Sequence, residues 1–180
     1  MISDEELIKQ CLRGKPKYQK MLYDKYAPLM FGVVSRYFSN RAEAEDALQD
    51  GFIKVFSKLP DYSGLGSFEG WIRRIMINTS LNLIRGNLKR QYHLDIDEIQ
   101  EFVEDKNQSY DRLTTEEMLK LIRSMPLGYR TIFNLYEIEG FHHNEIASDL
   151  GISVNTSKSQ LLKARQWLRK RIEKLYNEGK

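Results

Sequence analysis

A single cysteine in 180 residues, Cys11, leaves no partner for an internal disulfide and no thiolate set for a structural zinc site. Cys11 lies in an amphipathic stretch, where a lone thiol reads as a small buried apolar group rather than a redox sensor. Proline and glycine are scarce, 4 and 11 residues, and they cluster instead of scattering. That scarcity disfavours a sheet protein with many turns and favours long helices joined by a few loops. No run approaches the roughly 18 to 20 consecutive apolar residues that span a bilayer. The opening MISDEELIKQ carries acids where a secretory leader needs a basic start, and no apolar run follows. A cytoplasmic location without membrane insertion is the expectation.

What is present is charge: 29% of residues are charged, against 41% apolar. The net charge of +3 says little, but its distribution says more. Residues 1–92 carry 15 basic and 10 acidic side chains, net +5. Residues 93–112 carry 2 and 7, net −5, and residues 113–180 carry 11 and 8, net +3. Two basic blocks flanking an acidic one suit two nucleic-acid-facing domains joined by a segment that avoids phosphates. A charged linker between two helical bundles with ordinary charged surfaces fits the same numbers.

The apolar spacing predicts helices in both blocks. Acids at Asp4, Glu5 and Glu6 complement the dipole of a first helix carrying Leu7, Ile8, Cys11 and Leu12 at helical spacing, stopped by Gly14 and Pro16. A second runs from Tyr18 to Phe38, with Pro28 expected to kink it or mark a boundary. A third, from about Arg41 to Leu59, turns Ala44, Ala47, Leu48, Phe52, Val55 and Phe56 inward. The stretch Pro60 to Ser67 is the clearest loop, and helix resumes from Phe68 to about Arg90 with Trp71 in the core. Periodicity then fails from His93 to Tyr110, which reads as a flexible linker. In the second block a helix capped at Thr114 or Thr115 is expected, then one from Tyr129 to about Glu139 ended by Gly140.

The residues from Asn144 to Thr156 have the spacing of a helix-turn-helix. Ile146 and Leu150 face a core, Ala147 permits a close crossing, and Gly151 supplies the positive φ of a sharp turn. Ile152 and Val154 bracket the turn, and Ser153 is placed to cap the next helix. On that helix Leu161, Ala164, Leu168 and Ile172 share one face. Asn155, Thr156, Ser159, Gln160 and Lys163 lie at or near the opposite face, where a recognition helix meets base edges. Lys158, Arg165, Arg169, Lys170, Arg171 and Lys174 follow as phosphate contacts. The motif alone says only that the chain binds DNA, as many repressors do.

The string from Leu150 to Leu161, with Lys163-Ala164-Arg165 and Leu168-Arg169, resembles region four of the extracytoplasmic-function sigma factors. Pro126, Tyr129-Arg130 and Phe133-Asn134-Leu135 resemble the start of that region. Ala44 to Phe52 resembles the part of region two that docks on polymerase; Phe68 to Ile75 with Asn78 to Asn82 resembles the segments that melt and read the −10 element. The resemblance spans nearly the whole chain except the linker. It implies an all-α fold of two small helical domains: residues 1–92 for polymerase docking and −10 melting, 93–112 as an acidic linker, and 113–180 for the −35 element. Ser157, expected to face the core, stands where the family usually has Val, and Gln160 where Arg is common. Neither an extra N-terminal region nor a long insertion is seen, so the minimal two-domain form is expected.

By the same resemblance, Glu45, Asp46, Gln49, Asp50 and Phe52 would meet the coiled coil of the largest polymerase subunit. Tyr62, Ser63 and Gly64, in the loop that helps capture a flipped base, would act at the −10 element with Arg73, Arg74, Asn78, Asn82 and Arg85; Lys89 and Arg90 would add backbone contacts. Asn155, Thr156, Lys158, Ser159, Gln160, Lys163 and Arg165 would serve the −35 element. The implied partners are core RNA polymerase (its largest and second-largest subunits), promoter DNA and an inhibitory anti-sigma factor that could hold the chain at the membrane. The acidic linker would pass toward the RNA exit path as a nucleic-acid mimic. No cofactor, no metal and no catalytic residue are expected. Two rivals remain: a helix-turn-helix regulator that is not a polymerase subunit, and an enzyme built on His142, His143 and Glu145. The latter lacks the H-E-x-x-H spacing and a matching ligand set.

Overall fold

The computed structural model describes residues 2–94 and 114–178, which divide into two all-helical units, Met1–Ile84 and Arg85–Lys180. Among the described residues no helix is long and apolar enough to cross a membrane.

In the first unit α1 (Asp4–Leu12) starts where the Ser3 hydroxyl accepts from the Glu6 N–H at 3.3 Å. Asp4 then ties α1 to α2 (Pro16–Val34), accepting from the Tyr26 hydroxyl at 2.8 Å and from Lys25. Burial opposes the Asp4 charge, but these two donors outweigh it and hold the carboxyl below its ordinary range. Burial pushes the Cys11 thiol up, as suits a core group. Pro16 opens α2 at a position where its missing N–H costs nothing. Pro28 marks no boundary: α2 continues through it, on an exposed side where water can serve the Asp24 carbonyl. The helix ends at Val34, earlier than its apolar pattern suggests. Tyr37 and Phe38 extend that pattern because they plug the core from a turn, closed by the Tyr37 N–H on the Val34 carbonyl at 2.9 Å.

Helix α3 (Arg41–Lys58) is capped by Asn40, whose side chain accepts from the Glu43 N–H at 2.8 Å. Leu59–Asp61 form a tighter 3-10 turn, and α4 (Phe68–Leu94) follows, the Ser67 hydroxyl accepting from the Gly70 N–H at 3.1 Å. Leu22, Met30, Val34, Ala47, Val55, Ile72 and Met76 are fully buried among these helices. Each large one contributes about 1.5–3 kcal/mol. Gly51 leaves room for the Met76 side chain of α4: a Cβ there would stand 2.2 Å from its sulfur.

Beyond the last turns of α4, which belong to it, the second unit holds α5 (Thr115–Ser124), opened by a capping box in which Thr114 and Glu117 satisfy each other's backbone N–H. Those bonds hold the Glu117 carboxyl below its ordinary range. Arg130 on α6 (Leu127–Phe133) is buried, its Nη1 donating to the Arg123 carbonyl at 2.6 Å. A cation at the end of α5 complements that helix's dipole. The single helix expected from Tyr129 to Glu139 is instead α6 followed by a wider π turn, Asn134–Ile138. There the Glu139 N–H reaches the Asn134 carbonyl at 2.9 Å, and both Asn134 and Leu135 are buried. Gly140, at φ +74°, ends the turn. Two helices remain, α7 (His143–Leu150) and α8 (Val154–Glu178). The acids Asp95, Asp97, Glu98, Glu101, Glu104 and Asp105 of the expected linker lie outside the described residues, as do the side chains of Lys89 and Arg90.

Candidate nucleic-acid interface

Helix α3 places Asp46, Gln49 and Asp50 on one exposed stripe, because residues three and four apart share a face. Glu45 is half-buried beside it and accepts from Arg41 at 2.6 Å. That exposed pair adds little stability. Phe52 does not belong to this stripe. It is 3% exposed, and its ring lies 4.7 Å from that of Tyr23. The reason is angular: Ala44, Ala47, Leu48, Gly51, Phe52 and Val55 share the inward face of α3. The residue that continues the outward stripe is Ile53, 66% exposed, which the polar pattern alone missed.

The loop before α4 is tied to itself. The Tyr62 hydroxyl donates to the Gly66 carbonyl at 3.1 Å, and Ser63 Oγ accepts from the Leu65 N–H at 3.4 Å. Gly64 and Gly66, at φ +75° and +81°, make the tight reversals that other residues resist. The half-buried Tyr62 ring packs 5.1 Å from Phe68 and 5.3 Å from Trp71, and Trp71 stacks on Phe68 at 5.6 Å. Trp71 is thus half-buried in an aromatic cluster rather than wholly in the core. Leu65, at the loop tip, is 84% exposed; an apolar letter between two loop glycines was the only signal for it. Along α4, Arg74, Asn78 and Asn82 recur every four residues and all are exposed, with Arg73 half-buried beside them. Arg85, also exposed, is the first residue of the second unit.

In the helix-turn-helix, Gly151 adopts φ +67°, and the Ile152 N–H closes back on the Ala147 carbonyl at 3.0 Å. Ser153 caps α8, accepting from the Thr156 N–H at 2.9 Å. Its hydroxyl also meets the Thr156 hydroxyl at 2.8 Å, so Thr156 is engaged in the cap. Asn155 and Lys158 are exposed; Ser159 and Lys163 are half-buried, the Ser159 hydroxyl donating to the Thr156 carbonyl at 3.0 Å. Gln160 is misplaced by the sequence reading. It is 2% exposed and lies inside with Ser157, Leu161 and Ala164, so it is absent from the outer face. Leu162, 39% exposed, lies instead in line with Asn155 and Ser159. Arg165 reaches back to Glu137 of the π turn, its Nη2 2.6 Å from the carboxylate, with its guanidinium over the Tyr136 ring. Its charge is already partnered. Arg169, Lys170, Arg171 and Lys174 extend the basic end of α8.

The His142–His143–Glu145 group is built into the fold. The Glu145 carboxylate accepts from the His142 N–H at 2.8 Å at the start of α7. His143 stacks on Tyr136, centroids 4.5 Å apart, with Nδ1 2.9 Å from the Ser157 hydroxyl. Burial, then the nearby Lys158 and Arg165 charges, hold its imidazole below the ordinary histidine range.

Comparison with known proteins matches these parts in order. The model of sigma-70 region 2 covers residues 22–90, and that of sigma-70 region 4 covers residues 115–168. The chain is 28% identical to the RNA polymerase sigma-H factor of Pseudomonas aeruginosa, across 98% of this chain and 97% of that one. It is 24% identical to the ECF RNA polymerase sigma-E factor of Haemophilus influenzae, across 97% of each. Among solved structures it is similar in fold to the sigma factor RpoE of Bartonella quintana, crystallised with the anti-sigma factor NepR. There the TM-score is 0.53 at 21% identity, over 86% of this chain and 96% of that one.

Proposed function

Since this chain belongs to the sigma-70 family, as a sigma factor of the extracytoplasmic-function type that directs RNA polymerase to initiate transcription, we propose the following division of work among its parts. Residues 1–92 dock on core polymerase and open the −10 element, residues 113–180 grip the −35 element, and residues 93–112 join them. The observation that carries this reading is the pairing, in one chain, of an exposed Asp46–Gln49–Asp50 stripe with a helix-turn-helix whose second helix carries exposed basic residues at Lys158, Arg169, Lys170, Arg171 and Lys174. The chain contributes binding and positioning, while the polymerase makes the bonds.

The α3 stripe supplies acid and amide acceptors to the coiled coil of the largest polymerase subunit, and Ile53 adds an apolar contact at its end. The closed loop at Tyr62, Ser63 and Gly64, backed by Phe68 and Trp71, receives a base turned out of the duplex. Aromatic faces and flexible polar edges are what such capture needs. Arg73 and Arg74 hold phosphates there, while Asn78 and Asn82 offer amides to bases. On α8, Asn155, Ser159 and Leu162 face base edges, Leu162 suiting a thymine methyl, and Lys158 and Lys163 meet phosphates. Arg165 serves mainly to brace α8 through Glu137.

A cytoplasmic location follows from work on the chromosome. An anti-sigma protein, of the kind that holds RpoE of Bartonella quintana, is the expected inhibitor. The acidic linker, net −5, holds the RNA exit path until transcript displaces it. Neutralising its acids should then change promoter escape, and an unchanged escape rate would remove that role.

The test of the whole reading adds the purified protein to sigma-free core polymerase with a pool of genomic upstream fragments, reading run-off transcripts by sequencing. Initiation that depends on the protein, at sites sharing two spaced elements, is expected. Absence of both transcripts and polymerase binding would contradict it.

A further inference from the structure

His143 sits on the first turn of α7, yet its ring is directed to α8. Its partner there, Ser157, is fully buried, and the next residue, Lys158, is exposed. A buried hydroxyl in a helix ordinarily bonds a carbonyl one turn back. Ser80 of α4 does so, donating to the Met76 carbonyl at 3.0 Å. The Ser157 hydroxyl instead bonds across to the next helix, at 2.9 Å from His143 Nδ1. The imidazole is itself held from behind by the Tyr136 ring, 23° from coplanar. One directional bond between two helices fixes the rotation of α8 about its own axis, which apolar packing with Leu161 and Ala164 does less sharply. Rotation matters here because successive residues of a helix point about 100° apart. A small turn of α8 would redirect Asn155, Ser159 and Leu162 together.

We infer that His143 is a positioning residue for promoter recognition: clamped by Tyr136 and bonded to Ser157, it sets the angle at which α8 presents its outer side chains to DNA. The inference rests on the reading of α8 as the −35 helix. The groups facing the imidazole are Lys158 and Arg165 from α8 and Tyr136 from the π turn, with Glu137 of that turn committed to Arg165. On its own helix, Glu145 is committed to the His142 N–H. The surroundings are cationic and partly dry, and they favour the neutral ring.

The experiment compares holoenzymes carrying His143→Phe, Ser157→Ala, both together, or Lys158→Ala on one promoter recovered by run-off transcription and on its single-base −35 variants. Phe keeps a ring on Tyr136 and removes the nitrogen, so folding is retained. Each single variant should reduce discrimination between the −35 sequences by about fivefold, the coupling expected of contacting residues. The double variant should lose no more than either single one. Lys158→Ala should weaken every sequence alike. Additive losses, or reduced thermal stability with discrimination intact, would overturn the positioning role alone. An unmodified holoenzyme indifferent to the −35 sequence would overturn the reading of α8, and the inference with it.

Discussion

Among the described residues the first unit buries the polar side chains Gln10, Ser35, Thr79 and Ser80, and the second buries Arg130, Thr131, Asn134, Ser157 and Gln160. Hydroxyls of both are served near at hand, as where Ser80 donates to the Met76 carbonyl at 3.0 Å and Thr131 to the Leu127 carbonyl at 2.8 Å. Both also bond between helices: Lys54 of α3 donates to the Thr79 hydroxyl of α4 at 3.2 Å in the first, and Ser157 meets His143 on α7 in the second, where the Arg130 guanidinium also reaches the end of α5. Apolar packing tolerates sliding and rotation, but a buried polar group left without its bond costs about 1–3 kcal/mol. Both units are therefore held by direction as well as by burial; what sets the second apart, among the described residues, is a buried charge, Arg130.

Four substitutions or conditions sharpen the contrast. Ile72→Ala, in the apolar core of the first unit, should cost about 2–5 kcal/mol in denaturant unfolding. A loss well under 1 kcal/mol would show that this core is loosely packed. Gln160→Leu, in the second unit, should leave the preferred −35 sequence unchanged; a changed sequence logo would return Gln160 to the outer face. Leu162→Ala should abolish sensitivity to replacing −35 thymines with uracil. The native protein should lose about 0.8 kcal/mol, roughly fourfold in affinity, at the one thymine whose methyl it meets. Equal responses from both proteins would clear Leu162 of that contact.

The smallest effect is in pH. His143 has a folded-state pKa below that of the unfolded chain, so above the ordinary value of about 6.5 both states are neutral and its contribution is complete. As pH falls below that point the unfolded chain takes up a proton that the fold resists, and stability declines until the folded pKa is passed. Thermal melting of the second unit should show this decline, and His143→Phe should flatten it. An unchanged slope in that variant would assign the decline to other groups.

Much of the architecture was legible because it rests on period and punctuation. Apolar residues at three-and-four spacing marked α1, α3 and the start of α4. Gly151 and Ser153 marked the turn and cap of the helix-turn-helix, since few other residues take that φ or accept that N–H. The misreadings share one cause, that letter type is a proxy for direction. Tyr37 and Phe38 prolonged the pattern of α2 because turn residues can fill a core too. Phe52, which its period turned inward as found, was listed with its acidic neighbours through the resemblance alone, whereas Gln160 was placed outside because it is polar. Ile53, Leu65 and Leu162 were passed over for the converse reason, an apolar side chain left in water. The π turn at Asn134–Ile138 has no sequence signal of its own.

The claim that the two faces serve different partners is tested most directly by titrating fluorescent core polymerase with the native protein, with Asp46→Ala/Gln49→Ala, and with Lys158→Ala. The account predicts at least tenfold weaker core binding for the first variant, about 1.4 kcal/mol, at unchanged helicity. Lys158→Ala should bind core like the native protein, and its holoenzyme should lose about one unit from the salt dependence of promoter binding. Native-like core binding by both variants would contradict the assignment of the α3 stripe and separate this chain's docking from the face proposed for it.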